Sequence, residues 1–187
     1  SFGQLTINEI YYADATDFVE LKGPVGFDLT GWSLLSYSHQ GTLISTYNLE
    51  TVLGGVMPDD PNYGGVTLLS VSSPTFTIST KGYIVLRDDV DIIGFIAYGN
   101  GIQNRILDGV TSVDAGVANS ANSLQLTDAG WVSATPTEGA INVGQTLSIV
   151  KNQIAGFAMY PNPVKNGKFS ISTNSGAQKH IEIFSVI

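Results

Sequence analysis

The sequence predicts an all-β sandwich, and three observations carry that expectation. Short runs rich in β-branched and aromatic residues recur between clusters of Gly, Pro, Asn and Asp. No window longer than about ten residues holds a clean helical period. Of the 187 residues, 43% are apolar and 13% charged, which is enough apolar surface for a packed core. Many short strands joined by frequent turns are the pattern of two stacked sheets.

Strands are expected over residues 4–11, 17–22, 32–37, 42–49, 66–70, 75–79, 83–87, 92–98, 104–107, 122–127 and 146–150. In the first, Leu5 and Ile7 fall on one face. In the second, Val19 and Leu21 share a face opposite Phe18 and Glu20. Such alternation belongs to strands with one packed and one wet face. Gly31-Trp32 opens the third strand after a turn and aims a large indole between the sheets. A ring of that kind buries about 150–250 Å² and makes a natural core centre. The run from Gly54-Gly55 to Gly64-Gly65, with Pro58 and Pro61 inside, reads as a long surface loop. Lys81-Gly82 reads as a tight turn feeding a central strand, Tyr83-Ile84-Val85-Leu86. The segment 108–120, rich in Ala, Gly and Ser, has room for a single helical turn at most.

Charge divides the chain near residue 151. Residues 1–150 hold four basic and 15 acidic side chains, hence −11. Residues 151–187 hold four basic and one acidic, hence +3, and the whole chain carries −8. Asymmetry of this kind predicts separate modules, 1–150 and 157–187, with 151–156 as linker. The acidity argues against direct nucleic-acid binding, which draws on clustered Lys and Arg. The chain has no Cys, which removes disulfides, thiolate metal sites and cysteine nucleophiles. Its two histidines, His39 and His180, are too few for a multi-histidine metal centre. No apolar run approaches the roughly 18–20 residues of a membrane-spanning helix. The start, Ser1-Phe2-Gly3-Gln4, lacks a basic residue followed by an apolar stretch and reads as mature or trimmed.

Candidate chemistry is thin. Glu9 and Glu20 sit on neighbouring expected strands and could pair for acid–base work or for Ca²⁺. The plainer expectation is the wet face of a strand, or bonds to a loop backbone. Asp88-Asp89-Val90-Asp91 and Asp59-Asp60 are further acidic clusters, with Asp88, Asp89 and Asp91 as Ca²⁺ candidates. Neither has the spacing of a helix–loop–helix calcium loop, and solvated loop charge explains both. His39 beside Gln40-Gly41 reads as a hairpin residue, with Ser36, Ser38 and Asp59 as nominal triad partners in sequence alone. Tyr11, Tyr12, Tyr37, Tyr47 and Tyr63 could stack on sugars if exposed on one face, although tyrosine is equally a strand former.

Two stretches resemble known families. The first opens with Ile7-Asn8-Glu9-Ile10, continues through Asp17-Phe18-Val19-Glu20-Leu21-Lys22 and Asp28-Leu29-Thr30-Gly31-Trp32-Ser33-Leu34. Lys81-Gly82-Tyr83-Ile84-Val85-Leu86, Ser123-Leu124-Gln125-Leu126, Trp131 and Pro136-Thr137-Glu138-Gly139-Ala140-Ile141-Asn142 follow. This order, over about residues 5–145, resembles the bacterial lamin tail domain, an immunoglobulin-like β-sandwich. The sequence departs from that family's pattern at Glu138 and at Lys22-Gly23-Pro24, both expected turns. The second stretch is Tyr160-Pro161-Asn162-Pro163 within 157–164, then Gly167-Lys168-Phe169-Ser170-Ile171 and Ile181–Ile187. It resembles the start of the C-terminal sorting domain of the Bacteroidetes type IX secretion system. That family continues to another strand and a basic end, so Ile187 is expected to lie inside a strand of a longer or processed protein.

These resemblances imply a non-catalytic adhesion or accessory domain of a secreted or outer-membrane, cell-surface protein. Tyr160, Pro161, Asn162 and Pro163 would form the address read by the type IX machinery. The partner would be a protein or a surface glycan, and no cofactor is implied. Two rival expectations are a carbohydrate-binding module and a divalent-metal-binding accessory domain of a secreted nuclease or phosphoesterase.

Overall fold

The computed structural model describes residues 4–12, 16–63, 65–119, 121–146, 158–165 and 168–172. The chain divides into two compact units, Ser1–Ile149 and Val150–Ile187. The first unit is built from β1 (Thr6–Tyr11), β2 (Phe18–Pro24), β3 (Ser33–Ser38), β4 (Leu43–Asn48), β5 (Val66–Ser72) and β6 (Gly82–Arg87). It continues with β7 (Ile92–Tyr98), β8 (Ile106–Leu107), β9 (Val110–Thr111), β10 (Val113–Asp114), β11 (Ser123–Thr127) and β12 (Gly130–Ala134). Single 3₁₀ turns occupy Leu49–Thr51, Leu53–Gly55 and Pro61–Tyr63.

Two five-stranded sheets form, ordered β12-β11-β1-β2-β5 and β10-β7-β6-β3-β4. All pairings within them are antiparallel except β10 on β7, which is parallel. Ile7, Ile10, Val19, Leu21 and Leu124 of the first sheet share one buried cluster with Leu34, Ile84, Leu86, Ile96 and Tyr98 of the second. That shared cluster makes the unit a two-layer β-sandwich. Trp32, just ahead of β3, is nine-tenths buried in it and meets Phe27 edge to face, with centroids 5.4 Å apart. β6 lies between β7 and β3, so the strand after Lys81-Gly82 is central.

β1 carries a bulge. Ile7 pairs with Leu21 and Glu9 with Glu20, so Asn8 is the extra residue between them. An extra residue shifts the in–out alternation by one. Ile7 and Ile10, three apart, can therefore both reach the core, and Asn8 and Glu9 are both left for the opposite face.

The central strands of both sheets lack the wet outer face that strand alternation predicts. The outer face of the second sheet holds Tyr83, Val85, Phe95 and Ala97, a second apolar cluster. Ile102, Leu107 and Val110, from the loop after β7 and the β8–β9 hairpin, pack onto it. On the first sheet Asn8, Glu9, Glu20, Ser123 and Gln125 are buried as well. Covering segments distant in sequence account for the difference, and alternation within a strand cannot report them.

Other elements differ too. Residues 75–79 form no strand. The amide of Phe76 instead bonds back to the Ser72 carbonyl, and Phe76 and Ile78 enter the core. The carbonyls of Thr77 and Ser79 accept the Ser36 and Tyr98 hydroxyls, so side chains replace a ladder there. The strand expected over 104–107 shrinks to Ile106–Leu107, and 108–120 forms two short strands rather than a helical turn. β12 was not anticipated, because Trp131 and Val132 lie between turn residues. The strand expected at 146–150 falls, after Thr146, outside the described residues, as does the expected linker 151–156.

In the second unit β13 (Ala158–Lys165) pairs with β14 (Lys168–Ser172). Their register is irregular between Tyr160 and Lys165. Pro161 and Pro163 lie in that interval, and proline has no N–H for a ladder.

Removing the indole should leave a large cavity in the shared core. Trp32→Ala is expected to cost about 3–5 kcal/mol of unfolding free energy, read as a lower urea midpoint.

Candidate functional site

The largest gathering of buried polar side chains lies on the outer face of the first sheet. Antiparallel register places Gln125, Glu9, Glu20 and Ser70 in one row across β11, β1, β2 and β5. Glu9 and Glu20 are directly opposed and both have no exposed surface. Two carboxylates side by side without water repel each other and lose hydration. Such a pair needs donors from elsewhere, and the segment 135–146 supplies them.

Thr137 gives Glu9 two bonds, from its amide to Oε1 at 2.9 Å and from its hydroxyl to Oε2 at 2.8 Å. The Ser123 hydroxyl and the Gln125 amide group also donate to Glu9 Oε1. Gly139 donates its amide to Glu20 Oε2 at 2.6 Å, and Asn8 Nδ2 donates to Oε1 at 2.8 Å. Gly139 has φ of +73°, a turn conformation that favours glycine and that here aims its N–H at the carboxylate. Farther along, Asn142 Nδ2 donates to the carbonyls of Asn8 and Leu126. Gln145 Nε2 donates to Asn8 Oδ1 at 2.7 Å and to the Leu126 carbonyl. The amide and hydroxyl of Thr146 donate to Asp128. The bulge residue Asn8 thus donates to Glu20 and accepts from Asn142 and Gln145.

Burial pushes the Glu20 carboxyl up to about 7 from an ordinary 4.5. The bonds from Gly139 and Asn8 pull it down, the charge of Glu9 pushes it up, and Ser70 pulls weakly down. The proton is therefore held more tightly in the folded protein than in the unfolded chain.

Thr137 and its neighbours also form one wall of an open cleft of about 610 Å³. Pro136, Glu138 and Ala140 continue that wall, while Tyr11, Thr16 and Phe18 line the sheet side. Tyr11 and Phe18 are opposed across β1 and β2, with ring centroids 5.6 Å apart. Tyr63 reaches the same segment, donating its hydroxyl to the Gly139 carbonyl at 3.1 Å.

The structure brings Glu9 and Glu20 together but places Asp88, Asp89 and Asp91 on the other sheet, in the β6–β7 turn. Asp88 Oδ1 accepts the amides of Val90 and Asp91, which fastens that turn and holds its carboxyl below the usual range. Asp60 closes its own turn by accepting from Asn62. Among the described residues no three His, Asp or Glu side chains gather as a metal ion would need. Of the five tyrosines, Tyr11 and Tyr63 both reach the 136–140 segment, and the other three pack elsewhere. Tyr12 is buried against Tyr98, its hydroxyl accepting the Ala118 amide. Tyr37 and Tyr47 pack beside different clusters. Tyr160, Pro161, Asn162 and Pro163 lie in β13.

Sequence reasoning missed the partners that make this site: Asn8, Ser123, Gln125, Thr137, Gly139 and Gln145. One signal existed, a face of β1, β2 and β11 that is polar but hardly charged beyond the two glutamates. The chain matches no protein-family model, and no curated protein or solved structure matches it. Among the described residues, no helix is long and apolar enough to cross a membrane.

Two tests follow from this geometry. Because the folded value for Glu20 lies above the ordinary one, its contribution to stability is complete below about pH 4.5 and fades as pH rises through about 7. Urea unfolding between about pH 5 and about pH 8.5 should show that decline, and Glu20→Gln should flatten it. Thr137→Val removes the hydroxyl that lies within bonding distance of both Glu9 Oε2 and Asn142 Oδ1 and whose one proton serves either. It should cost about 1–3 kcal/mol and speed proteolysis within 135–146.

Proposed function

We propose that residues 1–150 form a non-catalytic binding domain, an immunoglobulin-like sandwich of the lamin tail kind. One observation carries this reading. The only opposed pair of acids among the described residues is fully buried and holds a loop in place, and that loop walls an open cleft beside Tyr11 and Phe18. A general acid must reach the proton it transfers. Glu9 and Glu20 reach donors of their own fold instead. Rigid loops fixed to a sheet are what a recognition surface needs, because little ordering remains to be done on binding.

The tail, 157–187, is read as the address for type IX export, which makes the protein secreted or displayed at the cell surface. The resemblance of Tyr160-Pro161-Asn162-Pro163 supports this reading, and so does the short hairpin that holds the motif. A type IX-competent host should bring the full-length protein that contains this tail to its surface, and replacing the four motif residues by Ala should retain it inside. Equal export of both forms would remove the assignment.

The binding reading predicts no turnover of glycosides, phosphodiesters or DNA by the full chain, with or without Ca²⁺, Mg²⁺ or Mn²⁺. It also predicts that Glu138→Ala, at an exposed position of the cleft wall, weakens capture of the partner from surface extracts without lowering the urea midpoint. Turnover abolished by Glu9→Gln or Glu20→Gln would overturn it.

A further inference from the structure

Two of the four basic side chains among residues 1–150, Lys81 and Arg105, lie near one end of the second sheet. Ser38, Gly82 and Tyr98 lie side by side in register at the ends of β3, β6 and β7. The residues just beyond them are His39, Lys81 and Gly99. A groove of about 350 Å³ opens there, lined by His39, Tyr83, Ile102, Gln103, Asn104 and Arg105. Arg105 is one of only four basic side chains among residues 1–150, against 15 acidic ones.

Neutral groups hold this arginine. Nη2 donates to the Gln40 carbonyl at 2.7 Å, and the guanidinium lies over the Tyr83 ring, 5.6 Å from its centroid. A carbonyl and a ring face orient a guanidinium without cancelling its charge. One of its five N–H donors is used on Gln40, and among the described residues no side chain is bonded to the others. Gly41 has φ of +88°, a turn conformation that favours glycine, and the Arg105 guanidinium lies against it. The loop before Arg105 is tied down by the Tyr83 hydroxyl, which donates to the Gln103 carbonyl at 2.9 Å. Ser112 fixes Arg105 itself, its hydroxyl accepting the Arg105 amide and its amide donating to the Arg105 carbonyl.

We propose that this groove binds the carboxylate of an acidic sugar, with Arg105 as the anion clamp and Asn104 and Gln103 beside it for ring hydroxyls. A planar fork matches a carboxylate with two parallel bonds. The exposed amide side chains of Gln103 and Asn104 each offer a donor and an acceptor, which suits vicinal hydroxyls. This deepens the binding-domain reading and rests on it, since the site holds a ligand and performs no chemistry on it.

Oligogalacturonate, a neutral oligosaccharide of equal length and a glutamate-rich peptide would be titrated separately into the full chain, observed by amide chemical shifts. Oligogalacturonate should move the amides of Gly41 and residues 101–105, and the neutral sugar should not. Arg105→Met should weaken binding by about tenfold or more. Arg105→Lys should recover only part of that loss, because it restores charge without the fork. Asn104→Ala, at an exposed position, tests the same groove should the arginine variants unfold. No shift at millimolar oligogalacturonate, or shifts unchanged in Arg105→Met, would overturn the site. Tighter binding of the acidic peptide would overturn the ligand class. Release of new reducing ends would instead sink the binding-domain reading and leave the clamp standing.

Discussion

Two carboxylates sealed from water on adjacent strands set the terms for the first sheet. Neither Glu9 nor Glu20 can be hydrated where it lies, and each faces the other across β1 and β2. A charge in that position costs several kcal/mol unless hydrogen bonds or protonation meet it. Both remedies operate here. Thr137 and Gly139 bring backbone amides to the pair, and the raised proton affinity of Glu20 removes part of the repulsion. The segment 135–146 has no strand partner of its own, so the pair gives it a fixed place, and it in turn makes the buried pair tolerable.

The two outer faces are finished by opposite chemistry. On the second sheet, Tyr83, Val85, Phe95 and Ala97 are covered by apolar groups from the β8–β9 hairpin and the loop before it. Apolar burial is non-directional, so that cover needs shape more than particular atoms. On the first sheet the cover is held by directional bonds, and each depends on one donor and one acceptor. Loss of a single partner there leaves a buried group unsatisfied, which costs more than the bond itself contributed. The polar side therefore fixes its loop conformation more strictly, and that loop forms the wall of the cleft beside Tyr11 and Phe18.

Fold class was legible from the sequence because strand period and turn residues are local properties. β1, β2, β3, β4, β6, β7 and β11 lie within a residue or two of the expected runs. What could not be read was long-range. Phe76 and Ile78 look like a strand, and they serve as core plugs while the carbonyls of Thr77 and Ser79 beside them accept distant hydroxyls. The bulge at Asn8 is equally silent, because it appears only when β1 is laid against β2. Glu9 and Glu20 were legible as neighbours. Their burial was not, since Thr137 is 128 residues from Glu9 and Gly139 is 119 from Glu20.

That bulge links the sheet's register to its polar face. Without the extra residue, β1 would alternate regularly, and Ile7 and Ile10 could not both point inward. With it, Asn8 and Glu9 both stand on the outer side. Asn8 then offers three polar groups to that face: Nδ2 to Glu20, Oδ1 to Gln145 and its carbonyl to Asn142. One inserted residue thus satisfies the apolar demand of the core and supplies the anchor for the covering segment. The order of cause runs from strand register to loop position, and from loop position to the wall of the cleft beside Tyr11 and Phe18.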